Sequence, residues 1–156
     1  MSGERDSVQP GDWLSRLTGQ RIGPENVLTL ECLGYLDLRE SILYMRDFYG
    51  VNLYHSDLAQ AQLASAILSS ANLEGANLVG ANLVGVALER ANLVRADLRN
   101  ANLEGTNLEG VNLEEANFSN ANLKKANLQG VDLSVASFSG ADLKDAIYYK
   151  GTHIIA

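Results

Sequence analysis

Residues 71–80 read ANLEGANLVG, which is one five-residue unit, A-N-L-x-x, written twice. The unit continues in phase from Val51 to Lys150 without an insertion or deletion, which makes twenty copies. Leu is the central residue in seventeen copies, and Ala stands two positions before it in fourteen. A helix repeats its apolar positions about every 3.6 residues and a strand every 2. A period of five therefore requires a chain that turns in every unit, and this predicts a solenoid.

Residues 51–150 resemble the pentapeptide-repeat family, because twenty units in one phase follow the family pattern A-(N/D)-L-x-x with at most two substitutions in each. The resemblance covers about two thirds of the chain. It implies an all-β solenoid, namely a right-handed quadrilateral β-helix with four pentapeptides per coil and about five coils. With roughly 4.8 Å between paired strands, five coils would form a rod about 24 Å long.

The substitutions in the repeat test a register of twenty residues per coil. Phe replaces the central Leu at Phe118 and Phe138, twenty residues apart, so the two rings are expected to stack. Ile67 and Ala87, which replace the Asn, are also twenty apart. Side-chain amides in such columns can donate and accept along the axis, which predicts two ladders. The ladders would be Asn72-Asn92-Asn112 and Asn82-Asn102-Asn122.

Residues 1–50 depart from the repeat at its small position, where Glu31, Leu36 and Arg46 stand. Capping and stop signals instead predict three short helices, over 12–19, 24–33 and 38–49. The alternative is a run of degenerate repeats, since Leu28 to Phe48 keep a large apolar residue in the five-residue phase. A helical segment would cap the first coil of the solenoid, because an open β-helix end invites aggregation. The expected organisation is 1–50 as a cap, 51–150 as the β-helix and 151–156 as a C-terminal tail.

The composition of the chain argues against some classes of binding partner. The formal net charge of the 156 residues is −7, and direct nucleic-acid binding is disfavoured because it usually needs a dense basic patch. No apolar stretch approaches the ~18 residues of a membrane span, and the charged start resembles no signal peptide. With one cysteine, Cys32, the chain forms no internal disulfide. These features lead us to expect a cytoplasmic protein with no membrane contact.

The sequence offers no set of catalytic residues. The two histidines, His55 and His153, lie near opposite ends of the repeat, and neither has a second ligand at a metal-site spacing. No Gly-rich phosphate loop and no nucleophile elbow is present. We therefore expect no enzyme, no cofactor and no metal.

The favoured function is a non-enzymatic scaffold or protein–protein interaction module for a protein partner that the sequence does not identify. Solenoids present flat faces whose specificity lies in the variable x-x positions. Val79 and Val84 occupy two such positions beside glycines, and we expect them to form a contact surface. The alternative comes from the resemblance, since some family members mimic DNA and modulate DNA gyrase. The resemblance implies that those members have stronger acidic surfaces and loops that interrupt the coils. This sequence has neither feature.

The C-terminal end is a second candidate contact. The repeat weakens at Tyr148 and Tyr149, and the tail that follows contains Ile154 and Ile155. Apolar residues at an open sheet edge are seldom left in water. The tail could fold over the last coil, or two copies could meet end to end as a homodimer. The family resemblance slightly favours the dimer, because it implies dimers formed through this end. The terminal segments that form those dimers are longer than the six residues here.

Overall fold

The computed structural model describes residues 36–149, which belong to one compact unit of the chain, Glu31–Ala156. Their strands are single parallel bridges, which join the second residue of a pentapeptide to the residue twenty positions later. The bridges run from Asp37↔Asp57 to Asn127↔Ile147. Since 57 − 37 is 20, one coil holds four pentapeptides, and the chain forms the repeat solenoid that its period predicts.

The pentapeptides stack in four columns, each made of units twenty residues apart. Column 1 contains residues 36–40, 56–60, 76–80, 96–100, 116–120 and 136–140. Column 2 follows it along the chain at 41–45, 61–65 and so on to 141–145. Column 3 begins at 46–50 and ends at 146–149, and column 4 runs from 51–55 to 131–135.

The interior is built from the central and small positions of the unit. Central residues such as Leu58 and Leu103 are fully buried, and so are small ones such as Ala101. Within residues 36–149 the buried polar side chains are Ser56 and Thr106, both at small positions. The Thr106 hydroxyl donates to the backbone oxygen of Leu83 at 2.7 Å, which satisfies its hydrogen-bonding need inside an apolar core.

Each unit ends in a tight turn that re-aims the chain. The turn after Leu58 is closed by a bond of 3.0 Å from the amide of Ala61 to the Leu58 oxygen. Its third residue, Gln60, has a φ of 60°, which a type II turn requires. The corresponding fifth residue of nearly every described unit also has positive φ, whether it is Gly or not. Glycine adopts this conformation without steric cost, which explains its frequency at this position.

One turn departs from this pattern. Leu133–Val135 forms a 3-10 helix, and Asp132 caps it by accepting from the amide of Ser134 at 2.9 Å. Val135 is the only β-branched fifth residue in the described units, and a β-branched side chain strongly disfavours positive φ. The backbone therefore takes another route, and the bridge expected between Asn112 and Asp132 is missing from the described ladder.

Asparagine side chains tie successive coils together, as the sequence predicts in part. Asn92 donates to Asn72 at 3.1 Å in column 4, and Asn122 donates to Asn102 at 2.9 Å in column 2. The same side-chain oxygens accept from the backbone two residues later, for example from Glu74 at 3.2 Å. Within the described coils, no side-chain hydrogen bond joins Asn92 to Asn112 or Asn82 to Asn102, so each predicted ladder of three is formed only in part.

The helix predicted over 38–49 is wrong. Asp37, Ile42 and Asp47 make the same twenty-residue bridges as the later units, and Met45 has a φ of 57°, far from a helical value. The buried large residues of this segment, Leu38 to Phe48, keep the five-residue phase. Arg46 remains exposed, so this coil needs no Ala-sized residue at that position. The solenoid thus begins before Val51, and the degenerate-repeat alternative is correct for this segment.

The predicted helices over 12–19 and 24–33 lie outside the described residues. The predicted twenty-residue register is confirmed where it can be followed. Ile67 and Ala87 form a direct bridge, and Phe118 and Phe138 stack ring on ring.

Candidate interaction surface

Val79 and Val84 lie at the ends of neighbouring units in columns 1 and 2. Both side chains are half-buried. Each precedes a glycine of positive φ, Gly80 at 65° and Gly85 at 63°. The two valines therefore stand at successive turns of one coil, and a glycine follows each of them.

The preceding coil also carries small side chains at the equivalent positions. Ala59 and Ala64 stand twenty residues before the two valines and are also half-buried. The Gln60 side chain lies over Gly80, where an added Cβ would clash with its amide. We call the surface formed by Ala59, Ala64, Val79 and Val84, with the two glycines, the valine face.

Ion pairs border the valine face along the axis. On one side Arg39 contacts Asp37 at 2.7 Å, and this pairing lowers the pKa of Asp37 to about 2. On the other side Arg99 contacts Asp97 at 2.6 Å and lowers the pKa of that carboxyl. Arg99 is thus paired within its own unit, whereas Arg39 also contacts Asp57 of the next coil at 3.7 Å. The four apolar side chains between the two arginines carry no charge, and Asp57 lies beside them.

Sequence reasoning missed three exposed apolar residues next to this face. Ile42, Tyr44 and Met45 have relative exposures of 70%, 57% and 74%, and all belong to the first described unit of column 2. Tyr44 precedes Ala64 and Val84 in the same column. Assigning 38–49 to a helix hid this continuity, whereas counting in fives from Val84 would have revealed it.

At the other end, Ile147, Tyr148 and Tyr149 are 54%, 39% and 65% exposed. They provide an apolar surface on the last described unit of column 3. Ile154 and Ile155, the other residues of the predicted end contact, lie outside the described residues.

The histidine that falls in the described region has a packing role. The His55 ring contacts the Tyr54 ring edge-on, with centroids 4.2 Å apart, and it lies over Gly75 of the next coil. His153 is outside that region. Residues 36–149 contain no cluster of three or more His, Cys, Asp or Glu side chains that could hold a metal ion. The same residues include no helix with the length and apolarity needed to cross a membrane.

Comparison with known families gives a match over most of the repeat. The family model described as pentapeptide repeats matches in eight copies, over residues 47–85, 81–120 and 116–147. No curated protein matches the chain.

Solved structures with related sequences include two from cyanobacteria. The pentapeptide repeat protein Rfr23 from Cyanothece 51142 is 41% identical, with a TM-score of 0.39, over 64% of this chain and 65% of that one. This chain therefore spans about two thirds of its length. The pentapeptide repeat protein alr5209 from Nostoc Pcc 7120 is 33% identical, with a TM-score of 0.43, over 58% of this chain and 74% of that one. QnrB1, a plasmid-mediated fluoroquinolone resistance protein, is 20% identical, with a TM-score of 0.41, over 74% of this chain and 78% of that one.

Proposed function

Because the chain belongs to the pentapeptide-repeat family, we propose that it is a non-enzymatic scaffold that binds a protein partner through the valine face. The observation that carries this proposal is the pairing of Val79 and Val84 on adjacent turns of one coil, with small apolar residues at the equivalent positions of the coil before. Solenoids recognise partners through such surfaces, with specificity set by the variable positions.

The energetics of the valine face suit protein recognition. The apolar side chains are held by rigid turns, so binding would order few side chains and cost little conformational entropy. Ion pairs at the border resemble the polar rim of an interface around an apolar centre. Exposed Tyr44 and Met45 extend the surface, and residue types of this kind are enriched where proteins meet.

The proposal also covers the geometry of the solenoid. Twenty-residue pairing supports four pentapeptides per coil and about five coils in residues 51–150, and the right-handed quadrilateral form is what the family resemblance implies.

Modulation of DNA gyrase by DNA mimicry is the alternative, and it would need a continuous negative surface. Cations interrupt the surface here, since Lys124 contacts Asp142 at 3.1 Å and Lys125 contacts Glu104 at 3.6 Å. We expect no effect in a gyrase supercoiling assay, with or without quinolone. Inhibition or protection at micromolar protein would instead favour the alternative.

Affinity capture from the native organism tests the scaffold proposal. The bait is the full chain, compared with the double variant Val79→Lys/Val84→Lys and with Val94→Lys as a control. Val94 is also half-buried and precedes a turn residue, but it lies in column 4. We expect the double variant to lose a protein that wild type and control both retain. An unchanged set of captured proteins, from three baits with equal melting temperatures, would overturn the proposal.

A further inference from the structure

A polar groove lies in column 3, apart from the valine face. It encloses about 330 Å³, and its lining includes Tyr49, Ser69, Ser70, Glu89, Arg90 and Glu109. The groove exists because the turn at Ser69 and Ser70 carries short side chains, whereas the turns one coil before and one coil after carry long ones. We call it the serine groove.

One carboxylate in the serine groove is held in place. The Ser69 hydroxyl donates to Glu89 at 2.6 Å, and the side-chain amide of Asn107 donates to its other oxygen at 2.7 Å. These bonds, led by that from Ser69, lower the pKa of Glu89. An ionised carboxylate can accept about four hydrogen bonds, so two fixed donors leave acceptor sites open toward the groove.

An aromatic residue, Tyr49, lines the same groove as this carboxylate. The Tyr49 side chain is 65% exposed, and its unit lies two coils before that of Glu89 in column 3. A cation binds an aromatic face within about 6 Å of the ring centroid. A charged N–H donor lies about 2.8 Å from a carboxylate oxygen. A single cation in the groove would have both groups on its lining.

We propose that the serine groove binds the guanidinium group of an arginine, stacked against Tyr49 and hydrogen-bonded to Glu89. A planar guanidinium suits this site better than an ammonium because it can stack and donate from its edge at once. Glu109, one coil further on, adds a second negative charge. In the described coils no carboxylate lies within ion-pair distance of Arg90, so Arg90 is a like charge that weakens binding. The guanidinium belongs to free arginine or to an arginine side chain of a protein.

Titration followed by amide chemical shifts tests this site in the full chain, with Nα-acetyl-arginine amide as the probe. Shifts should concentrate at Ser69, Ser70 and Glu89. Nα-acetyl-lysine amide should bind more weakly. Free L-arginine separates the two sources: tighter binding than the acetylated amide identifies the free amino acid, and equal or weaker binding identifies a side chain of a protein.

Two charge variants give effects of opposite sign. Glu89→Gln keeps the side-chain shape and should weaken binding up to about fivefold, the upper range for an exposed ion pair. Arg90→Gln should strengthen it by a similar factor, because it removes the like charge. Glu114→Gln, an exposed acid in column 4, is the control and should change little. The opposite pattern, in which Arg90→Gln weakens binding, would show an anion site and overturn the proposal. Shifts spread evenly over the acidic surface would also overturn it.

Discussion

Phe118 and Phe138 stack with ring centroids 5.0 Å apart and ring planes inclined by 9°. They are equivalent residues of successive coils, so the repeat itself places one ring on the next. Both are at most 2% exposed. Phe118 and Phe138 thus meet because their units share a column. They are the two Phe residues at central positions after Phe48 in the described units.

We expect the two rings to stabilise each other beyond their separate burial. Replacing either Phe with Leu restores the residue that most units carry, and each single change should be only moderately destabilising. A double-mutant cycle of Phe118→Leu and Phe138→Leu should give a coupling of about 0.5–1.5 kcal/mol, typical of an aromatic pair. Chemical unfolding measures it, and a coupling of zero would show that the stack adds nothing to packing.

Val135 should be the cause of the irregular turn in column 4. In Val135→Asn the fifth residue tolerates positive φ, so the turn can become regular and Asp132 can pair with Asn112. The amide of Leu113, which has no backbone hydrogen bond in the described coils, would then gain one. Hydrogen exchange at Leu113 should become slower.

Val135→Ala is the matched control, because alanine removes the branched side chain without favouring positive φ. It should leave the exchange rate at Leu113 close to that of wild type. If Val135→Asn also leaves this amide unprotected, the turn is set by another feature of residues 131–135.

Glu89 should make stability depend on pH. Its folded pKa is lowered from the ordinary 4.5 by Ser69 first, so its contribution is present above that value and is lost as pH falls through the folded pKa. For this partly exposed group we expect less than about 1 kcal/mol. The difference in melting temperature between wild type and Glu89→Gln should therefore be positive at pH 7 and shrink below pH 4.5. A difference that is constant down to pH 2 would contradict this account.

The repeat allowed the solenoid, its twenty-residue coil and the buried positions to be predicted, because one five-residue pattern fixes backbone and core together. The sequence prediction is wrong at 38–49, because Arg46 at the small position indicates a break in the repeat. The structure instead holds Arg46 exposed at that position within a regular unit. The 3-10 turn could have been predicted from Val135. It is the one β-branched residue at the fifth position of the described units, and this position has positive φ in the other units. The serine groove could not be predicted from single units, since it arises from short and long turns in successive coils.

We propose that the exposed end formed by Ile147, Tyr148 and Tyr149 supports a homodimer together with Ile154 and Ile155 of the tail. Two copies meeting around a two-fold axis would bury this apolar surface in a self-complementary contact. Light scattering on the full chain should give a dimer, and a version that ends at Lys150 should give a monomer. A tail that only covers its own last coil would instead leave both versions monomeric and lower the melting temperature of the shorter one.

The most direct test of the interaction surface is hydrogen exchange of the chain alone and with its captured partner. The amides of Val79 and Val84 each donate to the Asn side chain two residues before them, at 3.2 and 3.3 Å, and Val94 does the same at 3.2 Å. These three matched turns differ in the column that they occupy. Binding through the valine face should slow exchange at Val79 and Val84 and leave Val94 unchanged. Slower exchange at Val94 with no change at Val79 and Val84 would contradict the account.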